Sequence, residues 1–384
     1  MMIYADCAAT TPVSEGVLEE MLPYFREDFG NPSTIYKTGR NASRALENAR
    51  ERIAAVLNCH PTEIYFTSCG TESDNWALTG PVMSGKRKHI VTSMTEHHAI
   101  LHTADYLEKH GCTVSRIAPQ SDGIVSADAL RAAVRDDTAI VSLMYVNNEV
   151  GTIQPIHEAA AAAHERGALF HTDAVQAAGH MKIDLSAGNI DLLSVSGHKL
   201  HAPKGIGLLY IRKGVYPDNF IHGGAQERGR RAGTENVAFA VGLAKAFEER
   251  AAGMEERESL LLAEREHITE RILSEIPQSY LNGDRHTRTA GNMNFSFGGT
   301  DGESLVLLMD IEGVACSSGS ACTSGAVNAS HVLRAMGVSE ELAKGSVRLS
   351  FSDPVGMDNA DKVCDAVKKT VAKIRHLSGW HEER

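Results

Sequence analysis

Short apolar runs alternate with amphipathic stretches through the first half of the chain. The segments HIVTS, TVSRIA, AIVSLMYV and ALFHT each fit a β-strand, and residues 98–110, 126–135 and 155–166 between them carry apolar side chains at helical spacing. Alternation of strands and helices is typical of a mainly parallel sheet covered by helices. The pattern therefore predicts an α/β fold.

The N-terminal part of the chain adds two helices, a strand and a turn. Residues 13–25 and 43–57 have helical periodicity, Ser14 is placed as the N-cap of the first helix, and the strand EIYFT follows the second. The next segment, SCGTESDNWAL, is a glycine-containing turn that leads into a helix. Backbone N–H groups of Gly70 and Thr71 at this helix start would suit a phosphate group, although many strand-to-helix turns share the pattern.

Polar side chains follow four successive strands of the predicted sheet. They are His97 in TEHH, Asn148 in VNNEVG, Asp173 and Gln176 in HTDAVQ, and Lys199 in SGHK. Each of them alone is explained by an ordinary loop residue with satisfied hydrogen bonds. Because ligands bind at the carboxyl ends of the strands in such sheets, four in succession favour a single ligand site.

The segment DLLSVSGHKLHAPKGIGLLYI, residues 191–211, places a lysine between two short buried strands. Its glycine-broken turn presents Ser196, His198 and Lys199. Burial and positive neighbours lower the pKa of a lysine in such a place, as a Schiff-base amine requires, whereas the alternative is a surface turn. An aldehyde cofactor with a pyridine nitrogen fits this set, because Asp173 can keep the ring nitrogen protonated.

From about residue 253 the pattern changes to a charged helix over 255–276, shorter strands and helices, and a final helix over 357–377. We therefore expect a large domain over 14–255 and a smaller domain formed by 1–13 and 256–384. The basic segment 223–236, which contains Thr234 near its end, is either a phosphate-contacting loop or a solvated charged loop, and composition does not separate the two.

The segment ACSSGSACTSGAVNAS, residues 315–330, is rich in Ser, Gly and Ala and has no periodicity, which predicts a flexible loop. A thiol in such a loop, Cys322, would be exposed and able to act as a nucleophile, the alternative being an incidental loop thiol. Cys316, near the end of a strand, is expected to be structural.

Charge and cysteine usage exclude several classes. The net charge is −11 and no block of five or six basic residues occurs, so direct nucleic-acid binding is not expected. No apolar stretch is long enough for a membrane span and the N-terminus has no signal-peptide pattern, from which we expect a cytoplasmic protein. Seven cysteines without a CxxC pair predict reduced thiols and no metal site.

As a set, the motifs resemble those of the cysteine desulfurase family (NifS/IscS-like), among the class V, fold-type I pyridoxal phosphate enzymes. The matching segments cover nearly the whole chain: YADCAATTP, GNPST, FTSCGTESDNWAL, TEHHAI, VNNEVGTIQPI, HTDAVQAAG, SGHKLHAPKGIG, GGAQERGRRAGTENV and SSGSACTSG. The resemblance implies a large domain with a mainly parallel seven-stranded sheet flanked by helices, a smaller α+β domain, and a homodimer. SSGSACTSG marks the members with a longer catalytic-cysteine loop.

The resemblance also implies roles at matching positions for the cofactor, pyridoxal 5′-phosphate. Lys199 would be the Schiff-base lysine, Asp173 the partner of the pyridine nitrogen, and His97 the imidazole that stacks on the ring and moves protons. The remaining contacts would be made by Asn148 and Gln176 near the 3-oxygen, and by Gly70, Thr71, Ser196, His198 and the partner subunit's Thr234 at the phosphate.

For the reaction, the resemblance implies sulfur removal from L-cysteine to give L-alanine and a persulfide on Cys322. Arg348 would bind the substrate carboxylate, with Asn148 beside it. The sulfur would pass to an acceptor protein for iron–sulfur cluster assembly or tRNA thiolation. The alternatives are a selenocysteine lyase or another class V enzyme such as an aminotransferase, which needs no thiol, and a non-catalytic sulfur-relay scaffold.

Two positions depart from the family pattern. Many relatives have His where this chain has Tyr36, and the position of Cys7 is often Asn. Substrate contacts near the N-terminus are therefore not assigned from the resemblance.

Overall fold

A computed structural model describes residues 2–318 and 329–380. Its strands are β1 (Ile3–Tyr4), β2 (Ile64–Thr67), β3 (His89–Ser93), β4 (Thr113–Ile117), β5 (Thr138–Ser142), β6 (Leu169–Asp173), β7 (Leu192–Ser196), β8 (Gly207–Ile211), β9 (Ser279–Leu281), β10 (Asn292–Phe297), β11 (Val314–Ala315) and β12 (Ser346–Ser350).

The helices are α1 (Glu15–Met21), α2 (Pro23–Arg26), α3 (Lys37–Leu57), α4 (Gly70–Ser84), α5 (His98–Lys109), α6 (Ala127–Ala133), α7 (Ile156–His164), α8 (Gln226–Gly229), α9 (Val237–Ala251), α10 (Met254–Glu275), α11 (Gly302–Ile311), α12 (His331–Ala335), α13 (Glu340–Lys344) and α14 (Met357–Ser378). Single 3₁₀ turns occur at Pro61–Glu63 and Gly197–Lys199. Within the described residues, no helix is both long and apolar enough to cross a membrane.

Seven strands form one sheet in the order β2-β8-β7-β6-β5-β3-β4. All pairs from β7 to β4 are parallel, and β8 runs antiparallel to both β7 and β2. Six strands thus share one direction, so the carboxyl ends of β2, β3, β5, β6 and β7 lie along the same edge. The expectation of an α/β fold with a mainly parallel seven-stranded sheet is confirmed.

Both faces of this sheet are buried, because alternate side chains of each strand belong to different hydrophobic clusters. Val91, Val141 and Leu193 belong to the hydrophobic cluster that also contains residues of α3, α7 and α9. Their neighbours Ile90, Ile140 and Leu192 belong to a second cluster with residues of α4 and α5. Because successive side chains of a strand point to opposite faces, each strand supplies both clusters and helices cover both sides.

A third hydrophobic cluster lies in the C-terminal part of the chain. It joins α10, α11 and α14 to the antiparallel sheet β12-β10-β9, and Ala5 of the N-terminus belongs to it. The N-terminus enters through β1, which pairs parallel with β11. This distribution favours the predicted division at 255/256, but the division into domains stays a prediction.

Two helix boundaries differ from the sequence expectation. The helix predicted over 13–25 is split at Leu22, because Pro23 has no N–H to continue the hydrogen bonds of α1. The helix predicted from residue 43 begins at Lys37; its N-cap residue Tyr36 makes no side-chain capping bond, so no cap signal marks the start in the sequence.

Candidate active site

A cavity of about 320 Å³ opens at the carboxyl ends of the sheet. It is lined by ten of the predicted site residues, namely Gly70, Thr71, His97, Asn148, Asp173, Gln176, Ser196, His198, Lys199 and Arg348. These residues come from segments up to about 280 positions apart in the chain. The prediction of one ligand site at the strand ends therefore agrees with the geometry.

Lys199 reaches the cavity from the single 3₁₀ turn that follows β7. Its Nζ donates hydrogen bonds to the carbonyl oxygens of Ala8 and Ala9, both at 2.6 Å. The N-terminal segment is held there by Thr11, whose N–H and hydroxyl donate to the His198 carbonyl oxygen at 2.9 and 3.0 Å. Two backbone carbonyls, which carry no sequence signature, thus orient the amine.

Asp173, the last residue of β6, is buried, and one of its carboxylate oxygens accepts a hydrogen bond from the Val175 N–H at 2.9 Å. Burial raises its pKa, while that N–H and the charge of Lys199 oppose the rise. A carboxylate at this place can hold a protonated ring nitrogen.

A second buried carboxyl group, Asp74, lines the same cavity and was missed by the sequence analysis. Burial and the charge of Asp173 raise its pKa, and its Oδ1 has no hydrogen-bond partner among the described residues. Asp74 lies four residues after Gly70 on α4. Because residues i and i+4 share a helix face, the prediction that Gly70 faces a ligand could have been extended to Asp74.

His97 is the N-cap of α5, and its Nδ1 accepts a hydrogen bond from the Ala99 N–H at 3.1 Å. Burial, together with the nearby charge of Lys199, lowers its pKa to about 4. The ring is therefore neutral at pH 7. Because Nδ1 accepts a hydrogen bond, the proton of the neutral ring lies on Nε2.

The N-terminus of α4 forms a narrow cradle at one end of the cavity. A Cβ added to Gly70 would lie 2.8 Å from Val175 Cγ2 and 3.2 Å from the Cβ of Ser196, so only glycine fits without displacement. The hydroxyl groups of Thr71 and Ser196 and the imidazole of His198 belong to the residues that line the cavity. A helix of fifteen residues that starts here offers free backbone N–H groups to an anion.

Arg348 lies on β12 and brings a guanidinium into the cavity from the C-terminal part of the chain. Its Nη2 is 2.7 Å from an Asp6 carboxylate oxygen, and its Nη1 donates to the Asn148 carbonyl oxygen at 2.9 Å. Its Nε is buried without a hydrogen-bond partner in the described part of the chain. The positive charge that Arg348 brings to the cavity suits a carboxylate ligand.

One predicted residue of the described part of the chain is not brought to the cavity: Thr234 is exposed in the segment before α9 and does not line it. Cys322 lies outside the described residues. Cys316 is buried and packs in the C-terminal hydrophobic cluster, in agreement with a structural role.

The two positions that depart from the family pattern do not line the cavity, although Cys7 directly precedes Ala8, which does. Tyr36 is an exposed N-cap residue, and the buried Sγ of Cys7 is 3.3 Å from the Ser352 hydroxyl. Neither residue is among the described residues that line the cavity.

The cavity fits pyridoxal phosphate, the cofactor that the motifs imply. It combines a lysine amine, a buried carboxylate, a neutral imidazole, and a glycine cradle at a helix N-terminus, which match an aldehyde, a ring nitrogen, a ring face and a phosphate. In contrast, no three His, Cys, Asp or Glu side chains within 2–318 and 329–380 are arranged to hold a metal ion.

Comparisons with known proteins agree with this geometry. The family model of class V aminotransferases matches residues 3–363. The chain is 50% identical over 98% of its length to cysteine desulfurase IscS of Methanosarcina thermophila, covering 93% of that protein. It is 42% identical, over 98% of its length, to cysteine desulfurase NifS of Azotobacter vinelandii, covering 94% of that protein.

Solved structures of similar proteins also match this chain over most of its length. A NifS-like protein matches with a TM-score of 0.88 at 34% identity, over 99% of this chain and 100% of that one. SspA in complex with cysteine matches with a TM-score of 0.82 at 35% identity, over 91% of this chain and 99% of that one.

Proposed function

The chain belongs to the NifS/IscS-like cysteine desulfurases of the class V aminotransferase family, and from this we propose that it removes sulfur from L-cysteine with pyridoxal phosphate bound beside Lys199. The observation that carries the proposal is the single cavity in which Lys199, Asp173, His97 and Arg348 meet the glycine cradle of α4. Each group of the cofactor and of an amino acid substrate has a matching side chain there.

When bound, pyridoxal phosphate withdraws electrons from the α-carbon of an amino acid. Lys199 would hold the aldehyde carbon, and Asp173 would keep the ring nitrogen protonated. Arg348 would bind the substrate carboxylate, with its orientation fixed by Asp6 and by the Asn148 carbonyl. This places the substrate between the N-terminal segment and β12, with Lys199 Nζ and His97 Nε2 available to move the α-proton.

In the sulfur step, the Cys322 thiolate would attack the substrate sulfur. A sulfur–sulfur bond forms and the carbon–sulfur bond breaks, its electron pair stays on the substrate carbon, and that carbon takes a proton, so that alanine and a Cys322 persulfide result. Cys322 is four residues after Ser318, a span of at most about 14 Å when extended. Ser317, next to Ser318, exchanges backbone hydrogen bonds with Arg348 of the cavity at 3.3 and 2.6 Å, which supports this assignment.

We propose further that the persulfide sulfur passes to an acceptor protein, such as an iron–sulfur scaffold or a tRNA-thiolating enzyme, in the cytoplasm. The family resemblance supports a homodimer in which Thr234 serves the partner's cavity. Its exposure, away from the cavity of its own chain, is compatible with that role.

The test begins with the absorbance spectrum of the purified protein and the alanine formed from L-cysteine. The wild-type protein is expected to be yellow, with the visible absorption band of an internal Schiff base, and Lys199→Ala to lose that band. Cys322→Ala is expected to keep the band and to lose alanine formation, since the nucleophile for the substrate sulfur is gone.

Cys316→Ala is the matched control, because it removes another thiol from the same part of the chain. Burial raises the pKa of Cys316 to about 12, so it does not form a thiolate at pH 7 and its loss should leave alanine formation in place. If Cys322→Ala made alanine at the wild-type rate, the thiol assignment would be wrong, and a lyase that releases sulfur without a protein persulfide would replace it. Activity on selenocysteine alone would indicate a selenocysteine lyase.

A further inference from the structure

Ser330 occupies a special position, because it is among the first described residues after the stretch 319–328 that contains Cys322. It is buried, and its hydroxyl oxygen accepts a hydrogen bond from the Leu333 N–H at 3.2 Å, which caps α12. The same hydroxyl donates to the carboxylate oxygen Oε2 of Glu149. A single side chain thus starts a helix and binds a residue 181 positions away.

Glu149 lies in a rigid turn that also lines the active site. The buried Asn147 accepts hydrogen bonds from the N–H groups of Glu149 and Val150 at 2.9 and 3.0 Å, and its amide donates to the Thr95 carbonyl oxygen at 2.9 Å. The intervening residue, Asn148, lines the cavity and binds Arg348 through its carbonyl oxygen. The turn therefore joins the substrate end of the cavity to Ser330.

A second contact holds the same part of the chain. His331, the residue after Ser330, contacts the Glu96 carbonyl oxygen through Nε2 at 3.0 Å, and Glu96 directly precedes His97. On the other side of the stretch, Ser317 is hydrogen-bonded to Arg348. The residues on both sides of the Cys322 stretch are thus bound to residues that line the cavity or adjoin a residue that does.

Burial of the Glu149 carboxyl group lowers the stability of the folded protein, so stability alone does not explain this residue. It is 5% exposed, and burial raises its pKa to about 7, opposed by the Ser330 hydroxyl and the charge of Arg348. An apolar residue of similar volume would avoid the cost of burying a carboxyl group. The carboxylate is used by the hydrogen bond from the Ser330 hydroxyl to Oε2 and by Nδ1 of His331, which lies 3.9 Å from Oε1.

We propose that Glu149 is a positioning residue for sulfur transfer, which fixes, through the hydroxyl of Ser330, the place where the chain carrying Cys322 rejoins the edge of the cavity. This inference rests on the proposed desulfurase activity. It assigns Glu149 no contact with the cofactor or the substrate, so the variants should affect only the step that needs Cys322.

The test uses the holoenzyme and measures two reactions. The first is a single turnover of alanine formation from L-cysteine, which needs the thiol. The second is exchange of the α-proton of L-alanine with D₂O, which needs Lys199 and the cofactor but no thiol. Ser330→Ala and Glu149→Ala are expected to slow alanine formation roughly 10- to 100-fold, since a displacement of about 1 Å has effects of that size. Both should leave the exchange rate and the cofactor absorbance unchanged.

Three further variants make the result specific. The double variant should form alanine no more slowly than the slower of the two single variants, because both substitutions remove the same hydrogen bond. Glu149→Gln keeps an acceptor oxygen for Ser330 and should restore most of the rate. Ser339→Ala is the matched control, because Ser339 caps the neighbouring helix α13 through the Leu342 N–H, so it removes a cap without touching Glu149.

Independent, multiplying effects of Ser330→Ala and Glu149→Ala would overturn the proposal, as would a wild-type rate for Ser330→Ala or an equal loss for Ser339→Ala. A loss in Glu149→Gln as large as in Glu149→Ala would also overturn it, since charge would then matter and not the hydrogen bond. These outcomes differ from failure of the desulfurase activity itself, in which wild type forms no alanine or Cys322→Ala forms it normally.

Discussion

At the scale of single residues, the two buried carboxyl groups of the cavity have different partners. Asp173 accepts a backbone hydrogen bond and is stabilised as a carboxylate by the charge of Lys199. Oδ1 of Asp74 has no hydrogen-bond partner among the described residues and lies 3.7 Å from His171 Nε2. Burial and the charge of Asp173 raise the pKa of Asp74, opposed by a hydrogen bond with Ser194. Burial raises the pKa of both groups, and two such groups in a low-dielectric site do not both ionise, so the pair shares one proton. Because Lys199 favours the charge on Asp173, we expect that proton on Asp74.

This difference predicts unequal losses of activity for the same Asp-to-Asn substitution at the two positions. Asp74→Asn replaces a neutral carboxyl group with a neutral amide of the same shape, so alanine formation should change by less than about fivefold, under ~1 kcal/mol. Asp173→Asn removes the charge that holds the ring nitrogen protonated, and activity should fall by roughly 100-fold or more, the loss expected for an electrostatic contact in a buried site.

The measurement is the steady-state rate of alanine formation, with the cofactor content checked by absorbance. Comparable losses in the two variants would show that Asp74 is ionised or contacts the cofactor directly. A loss confined to Asp74→Asn would reverse the assignment of the proton.

At the scale of secondary structure elements, the start of α4 depends on one glycine. The backbone of Gly70 is not in the left-handed region, so its role is close approach: an added Cβ would press on Val175 and Ser196, which both line the cavity. Gly70→Ala should therefore weaken pyridoxal phosphate binding roughly tenfold or more, since overpacking costs about 1–3 kcal/mol. The dissociation constant can be measured by titrating the apoprotein with the cofactor.

Gly85→Ala is a suitable control for that prediction. Gly85 is the C-cap of the same helix, and a Cβ there would contact the Pro81 carbonyl oxygen at 3.2 Å, away from the cavity. Cofactor binding should be unchanged in this variant. Equal weakening in both variants would mean that α4 responds as a whole and that the cradle at Gly70 has no special part.

The secondary structure elements also show which features of the fold and the site could be predicted from the sequence. Strands of the large sheet, and the polar residues that follow them, were predicted because the periodicity and the strand-end rule are both local. The carbonyl groups of Ala8 and Ala9 were not, because backbone acceptors have no residue type and their placement depends on packing between distant segments. The link between Glu149 and Ser330, 181 positions apart, escaped for the same reason.

At the scale of the whole molecule, one buried cation connects the two parts of the chain. Arg250 on α9 donates to the carbonyl oxygens of Gly179 at 3.1 Å and Ser352 at 2.6 Å, and to an Asp353 carboxylate oxygen at 2.7 Å. Gly179 follows the segment that carries Asp173, whereas Ser352 follows β12, which carries Arg348. The cofactor end and the substrate end of the cavity are thus bound to the same guanidinium.

Substitution of Arg250 with Met should therefore affect both stability and substrate binding. It keeps much of the side-chain volume but leaves the carbonyl oxygens of Gly179 and Ser352 without their hydrogen bonds, and a buried acceptor left unpaired costs about 1–3 kcal/mol. The Asp353 side chain is 51% exposed, so the loss of its ion pair with Arg250 adds less than that. Because Ser352 directly follows the strand that carries Arg348, loss of its contact with Arg250 should loosen this strand and raise the KM for L-cysteine, although Asp6 and the Asn148 carbonyl still bind Arg348. Urea unfolding followed by tryptophan fluorescence, together with steady-state kinetics, measures both effects.

The pH dependence of the stability loss separates the ion pair from simple packing. Burial opposes ionisation of Asp353, but the hydrogen bond from His201 and the charge of Arg250 outweigh it and lower the pKa below the ordinary 3.8. A carboxyl group with a lowered pKa stabilises the folded state above its unfolded pKa, and this contribution is lost as pH falls. The stability difference between wild type and Arg250→Met should thus be largest at neutral pH and shrink below about pH 4. Arg131→Met, which breaks the two ion pairs of a 43% exposed arginine with Asp128 and Glu165, should cost less than about 1 kcal/mol. A stability difference for Arg250→Met that did not vary with pH would mean that the side chain acts by filling space and that the charge does not hold the two parts together.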